Sequence, residues 1–162
     1  MTPVDTTSTA GTPEERLAAM GLPVPTVVPP LAAYVPAVRT GNYVYTSGQL
    51  HMVDGAMPAT GKVGAEVSAE QGKELAKFCA LNALAAIKAE IGELNRISRV
   101  VKVVGFVASA PDFTGQPGVV TGASELLGED FGEAGVHARS AVGVAALPLD
   151  APVEVELIVE IA

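Results

Sequence analysis

The chain has 162 residues, enough for one domain with its own core and too few for two comfortable ones. Ten Lys and Arg against eighteen Asp and Glu leave a net charge of −8, a field that repels polyanions and makes nucleic acid a poor partner. Apolar residues make up 49% of the chain but aromatics only 4%, so the core must be built from Ala, Val, Leu and Ile, as where strands are crossed by Ala-rich helices.

Residues 1–11 are polar, small and unpatterned and read as a disordered leader before a domain spanning 12–162. They hold neither a basic start nor an apolar run, and no stretch approaches the roughly 20 apolar residues of a membrane helix. A soluble cytoplasmic protein without a membrane partner is expected. Thr12-Pro13-Glu14-Glu15 combines a capping hydroxyl, Pro at the first helical position and Glu three residues after the cap, which predicts a short helix over 13–20, stopped by Gly21 and Pro23. Tyr34 to Arg39 and Tyr43 to Ser47 are β-rich runs around Thr40-Gly41-Asn42, which is hairpin chemistry.

From Ser68 the period changes. Ser68-Ala-Glu-Gln71 is a capping box, and Ala76, Ala80, Leu84, Ile87 and Ile91 recur at helical spacing until Gly92 ends the helix. Cys79, the sole cysteine, sits among Phe78, Ala80 and Leu81 and reads as a small core residue. Val100 to Val107 is an almost continuous apolar run, the pattern of a central strand covered on both faces. A weaker helix is predicted over 116–127, then strands over 137–144 and 153–161, which the short 147–152 connection would join as an antiparallel hairpin. That pairing sets Arg139 opposite Glu160 and keeps it more than about 15 Å along the strand from Glu154.

These elements make a single α/β domain, a mixed β-sheet with two main helices on one face. In Val153 to Ile161 the odd positions are all apolar while Glu154, Glu156 and Glu160 alternate with them, so the second face meets water, a cationic partner or another subunit. Oligomerisation is the economical way to cover it.

Most catalytic motifs are missing. Gly122-Ala-Ser124-Glu125-Leu126 starts like a nucleophile elbow but lacks the closing Gly, and neither His51 nor His137 lies at a recognised metal spacing from other ligand types, so no metal site is expected. Arg139 remains. Period two puts His137, Arg139, Ala141 and Gly143 on one strand face, so the guanidinium stands over small residues with room for a small carboxylate gripped by its fork. The same spacing also fits a surface or structural arginine, for instance one that neutralises a strand glutamate, just as Glu154, Glu156 and Glu160 all fit solvated strand carboxylates.

Ser47-Gly48-Gln49, then Ala138-Arg139-Ser140-Ala141-Val142 with Leu147-Pro148, then Val153-Glu154-Val155-Glu156, together resemble the RidA/YjgF family of reactive-intermediate (enamine/imine) deaminases, over roughly residues 12–162. The resemblance implies a chorismate-mutase-like fold and a homotrimer with clefts between subunits. It implies hydrolysis of 2-enamino or 2-imino acids to 2-keto acids and ammonia without metal or cofactor. On this resemblance Arg139 binds the substrate carboxylate and Glu154 holds the hydrolytic water, with Tyr34, Gly48, Thr121 and Ala141 lining the pocket. Thr121 replaces an asparagine common in the family, Ala141 stands where Cys is frequent, and residues 112–136 form a longer segment, which marks a divergent branch and leaves a non-catalytic carboxylate-binding or sensor protein as the alternative. An endoribonuclease ranks last, because −8 without a basic patch lacks the phosphate attraction such binding rests on.

Overall fold

The computed structural model describes residues 10–27, 29, 30 and 32–162; most of the predicted leader lies outside them. The order is α1 (Pro13–Ala19), β1 (Ala37–Thr40), β2 (Tyr43–Thr46), α2 (Ala69–Ile91), β3 (Ile97–Ala108), α3 (Gln116–Phe131), β4 (Ala138–Val144) and β5 (Val153–Ile161). Both capping boxes form: Thr12 accepts from Glu15 N–H and Ser68 from Gln71 N–H, while Glu15 and Gln71 reach back to the cap N–H groups. Such a cap stabilises a helix start by about 1 kcal/mol. β1 begins at Ala37 rather than Tyr34 because Pro36 has no N–H for the ladder; only its carbonyl takes part, accepting from Ser47 N–H at 2.8 Å. α3 runs on to Phe131, past the expected 127, until Gly132 at φ 59° ends it.

The five strands lie in the order β1-β2-β5-β3-β4. β4 runs parallel to β3, and β5 is antiparallel to both β2 and β3. The expected β4–β5 hairpin is therefore wrong, because β3 lies between the two strands. Two causes combine. The α3 crossover returns the chain parallel to β3 at the sheet edge, and the 3-10 turn Pro148–Asp150, with Leu149 at φ 59° and Asp150 at φ 56°, carries it past the end of β3. β5 then enters the slot between β2 and β3, where both of its edges are paired.

β5 also sorts the two faces. Val153, Val155, Leu157, Val159 and Ile161 are 0–2% exposed and pack under the helices, while Glu154, Glu156, Ile158 and Glu160 look out from the open face. α2 lies across the covered face, with its whole Cys79–Ile87 stretch buried. Gly122 of α3 faces α2, and a Cβ there would overlap the Lys73 carbonyl, so this glycine lets the two helices touch. The open face is notably apolar: Val38, Tyr43, Tyr45 and Val142 are all 40–52% exposed. It carries Val104, Phe106 and Ile158 as well, beside Lys102 and the glutamates of β5. No helix among the described residues is long and apolar enough to cross a membrane.

α1 docks on α3 through Arg16. Its Nε donates to the Asp130 carbonyl at 2.7 Å and lies 3.4 Å from Asp130 Oδ1. The Asp130 side chain is fully buried and neither of its oxygens accepts a hydrogen bond. Burial raises its pKa to about 6; Arg16 opposes that shift and the Glu14 charge adds to it. A carboxyl raised from 3.8 to about 6 contributes stability in full below pH 3.8 and loses it as the pH climbs through 6. The wild type should lose unfolding free energy between pH 5 and pH 7.5 relative to Asp130→Asn, as read by urea titration at each pH. Parallel pH profiles for the two proteins would show that Asp130 does not carry this loss.

Candidate functional site

Six residues singled out from the sequence fall into two groups. Tyr34, Gly48 and Glu154 line one small cleft, with Pro36, Gln49, Met52 and Pro148 around them. After β2 the segment Ser47-Gly48-Gln49 continues alongside β5: Gln49 N–H donates to the Val155 carbonyl at 2.8 Å, and Val155 N–H returns the bond at 3.0 Å. This bridge brings the Gly48 backbone onto the Glu154 side chain. A Cβ at Gly48 would lie 2.5 Å from Glu154 Oε1 and 2.7 Å from its carboxyl carbon. Only glycine leaves the carboxylate its place. Burial, and then the neighbouring Glu156 charge, push the Glu154 carboxyl above its usual pKa, which suits a group that must hold and exchange a proton. Glu154 also raises the buried Cys79 thiol, though less than burial does, so Cys79 is an inert core residue as its sequence context implied.

The second group is Arg139, Thr121 and Ala141. Arg139 pairs with Val103 of β3, whose side chain is buried beneath the helices, so the arginine rises on the α3 side of the edge strand. Its Nη1 donates to Thr121 Oγ1 at 3.2 Å and to Ser124 Oγ at 3.3 Å. Ala141 and Gly143 follow on the same face; Ala141 packs against the core, and a Cβ at Gly143 would crowd the Gln116 amide and the Ser109 hydroxyl. The floor of small residues expected beneath Arg139 is present. The side-chain partners of Arg139 are two hydroxyls of α3 rather than a strand glutamate.

The two groups do not meet within one chain. Arg139, Val103 and Leu157 are neighbours across three strands, and Glu154 lies three residues along β5 from Leu157. Two strand spacings and three residues of rise separate the backbones by roughly 14 Å. Arg139 also stands on the helix face and Glu154 on the open face. The Glu154 cleft offers only about 80 Å³, well short of the several hundred of an ordinary ligand pocket.

Sequence reasoning missed Ser124 and His137 as a pair. Ser124 is no nucleophile elbow, because it sits inside α3, yet its Oγ lies 2.9 Å from His137 Nε2, and His137 Nδ1 lies 2.7 Å from the Gly135 carbonyl. His51 is fully buried, with Nε2 at 2.8 Å from the Ala59 carbonyl, and burial lowers its pKa. No group of three or more His, Cys, Asp or Glu that could hold a metal exists among the described residues.

Residues 14–161 match the family described as "YjgF/chorismate mutase-like, putative endoribonuclease". The chain belongs to the YjgF family. The five-stranded mixed sheet with its helices is the chorismate-mutase-like fold. Protein TCP17 of Trypanosoma cruzi is 41% identical over 90% of this chain and 92% of its own length. An Agrobacterium tumefaciens protein described as having unknown function is 46% identical, with a TM-score of 0.87 over 93% of this chain and 92% of that one. A Shewanella oneidensis protein that bears the family's enzymatic label is 35% identical, with a TM-score of 0.90 over 93% of this chain and 100% of that one.

The Gly48–Glu154 contact is testable without any assay of activity. Gly48→Ala should destabilise the fold by about 1–3 kcal/mol through overpacking, and by much less in a Glu154→Ala background, in a double-mutant cycle measured by chemical denaturation. Equal losses in both backgrounds would mean that the two groups do not press on each other.

Proposed function

We propose that this YjgF-family protein hydrolyses reactive 2-enamino or 2-imino acids to 2-keto acids and ammonia, in clefts between the subunits of a homotrimer. One observation carries the reading: a guanidinium with its outer edge open and a half-buried carboxylate of raised pKa are each presented at a subunit surface, on opposite faces of one sheet. Neither is complete alone. A neighbouring subunit whose Glu154 cleft meets the Arg139 edge assembles both around one ligand, and the same packing covers the apolar open face. The chemistry asks little more. An imine carbon is already electrophilic, so orienting the substrate through its carboxylate and positioning a water at Glu154 suffice.

Arg139 would bind the carboxylate through two parallel charge-assisted bonds, with Thr121 and Ser124 holding the guanidinium from behind. Glu154 would accept a proton from the attacking water and return it to the departing amine. Tyr34 and Gly48 would form the wall on the Glu154 side, and Ala141 the floor on the Arg139 side. A carboxylate-binding protein without turnover would use the same Arg139 edge, and would bind 2-keto acids without releasing ammonia from imines. The ribonuclease label of the family finds no support in a net charge of −8.

The test is ammonia and 2-keto acid release from 2-iminobutyrate generated in situ, against buffer alone. Arg139→Ala should lower kcat/KM by about a hundredfold or more, and Arg139→Lys should recover little of it because the fork is lost. Glu154→Gln should abolish turnover while 2-oxobutyrate still binds. Release no faster than in buffer, with 2-oxobutyrate bound, would leave the binding-protein reading standing. Unchanged turnover in Arg139→Ala would return the arginine to a structural role.

A further inference from the structure

His137, which contacts Ser124, is used neither by the fold nor by the reaction just described. His137 lies between the 3-10 turn Gly132–Gly135 and the start of β4, two residues before Arg139 and on its strand face. The Gly135 carbonyl can only accept, so the 2.7 Å contact requires a proton on Nδ1. That acceptor is rigidly placed: a Cβ at Gly135 would overlap the Leu127 carbonyl, so the turn lies flat on the end of α3. In the neutral imidazole with its proton on Nδ1, Nε2 presents a lone pair, and at 2.9 Å the Ser124 hydroxyl donates to it. The oxygen of Ser124 then turns its own lone pairs to Arg139 Nη1. Thr121 is fixed in the same sense, since its hydroxyl donates to the Pro117 carbonyl at 2.8 Å and accepts from the same Nη1 at 3.2 Å.

We propose that His137 is a positioning residue for carboxylate recognition: through Nε2 it holds the Ser124 hydroxyl as an acceptor, and Ser124 with Thr121 pins Nη1 of Arg139 so that the rest of the guanidinium faces the ligand. The inference rests on Arg139 being the carboxylate anchor. Among the described residues only Nη1 is engaged, which leaves Nε and Nη2 for the two oxygens of a planar carboxylate. A free Ser124 rotor could instead turn its hydrogen toward the guanidinium, which replaces an attraction with a repulsion between donors. His137 removes that state. The serine is therefore an orienting acceptor and not a nucleophile, since its lone pairs face a cation rather than a substrate carbonyl. The chemical class selected is a small carboxylate that presents both oxygens to one guanidinium edge.

The distinguishing measurement is a split between KM and kcat together with 2-oxobutyrate binding by calorimetry. His137→Phe should weaken 2-oxobutyrate and raise KM for 2-iminobutyrate about tenfold with kcat within about twofold of wild type, because uniform binding is lost. His137→Gln, which keeps an acceptor for Ser124, should recover most of the affinity. Ser124→Ala should match His137→Phe, and the double variant should be no weaker than Ser124→Ala, because the effect of His137 travels through that hydroxyl. Losses that multiply in the double variant, or wild-type affinity in His137→Phe, overturn the proposal while leaving the deaminase reading intact. If His137→Phe fails to fold, the Ser124→Ala cycle with His137→Gln decides by the same criterion. A wild-type protein that neither binds 2-oxobutyrate nor turns over the imine overturns both.

Discussion

Strict alternation in β5 organises this molecule. Nine residues with every odd side chain under 3% exposed commit one sheet face to the helices, and the even positions, three of them glutamates, are thereby committed to the other. A shift of one residue would bury those carboxylates, a cost no local interaction could offset, so the register is strongly specified. Everything functional hangs on that partition. Glu154 lies on the open face because Val153 and Val155 lie on the covered one, and Gly48 exists to let the chain pass beside it. Arg139 belongs to the covered face because its strand aligns it with Val103.

The sheet order then separates chemistry that one chain cannot reunite. With β3 between β4 and β5, the guanidinium and the carboxylate stand two strands apart on opposite faces. The proposed reaction cannot use that arrangement within one subunit, whereas the proposed ring of subunits brings the two groups together. The 40–52% exposure of Val38, Tyr43, Tyr45 and Val142 points the same way, since an apolar face of this kind is ordinarily covered. On the proposed homotrimer, assembly and site construction are one problem with one solution.

Local signals were legible and pairing was not. Both capping boxes, the Cys79 environment and the β5 alternation could be read because each is written in residues a few positions apart. The hairpin expected for β4 and β5 failed because so short a connection normally joins neighbours, and nothing in Leu147 to Pro152 announces that Leu149 and Asp150 adopt left-handed backbone that lets the chain step past β3. The large separation of Arg139 from Glu154 survived that error for a different reason, because the true obstacle is the face each occupies and not distance along a hairpin. The Ser124–His137 contact was invisible for a third reason. It joins a helix to a strand across thirteen positions, and its donors and acceptors acquire meaning only once Gly135 fixes one ring nitrogen. Thr121 was singled out through family resemblance, and its contact with Arg139 is one that helix periodicity cannot express.

The central claim is that one subunit's Arg139 works with a neighbour's Glu154. Mixing Arg139→Ala with Glu154→Gln subunits, each inactive alone, and letting them exchange tests it directly. In a random ring about a quarter of the clefts receive both intact residues, so imine hydrolysis should return to about a quarter of the wild-type rate once native mass spectrometry shows mixed assemblies. Mixed assemblies that remain as inactive as either parent would contradict a cleft shared between subunits.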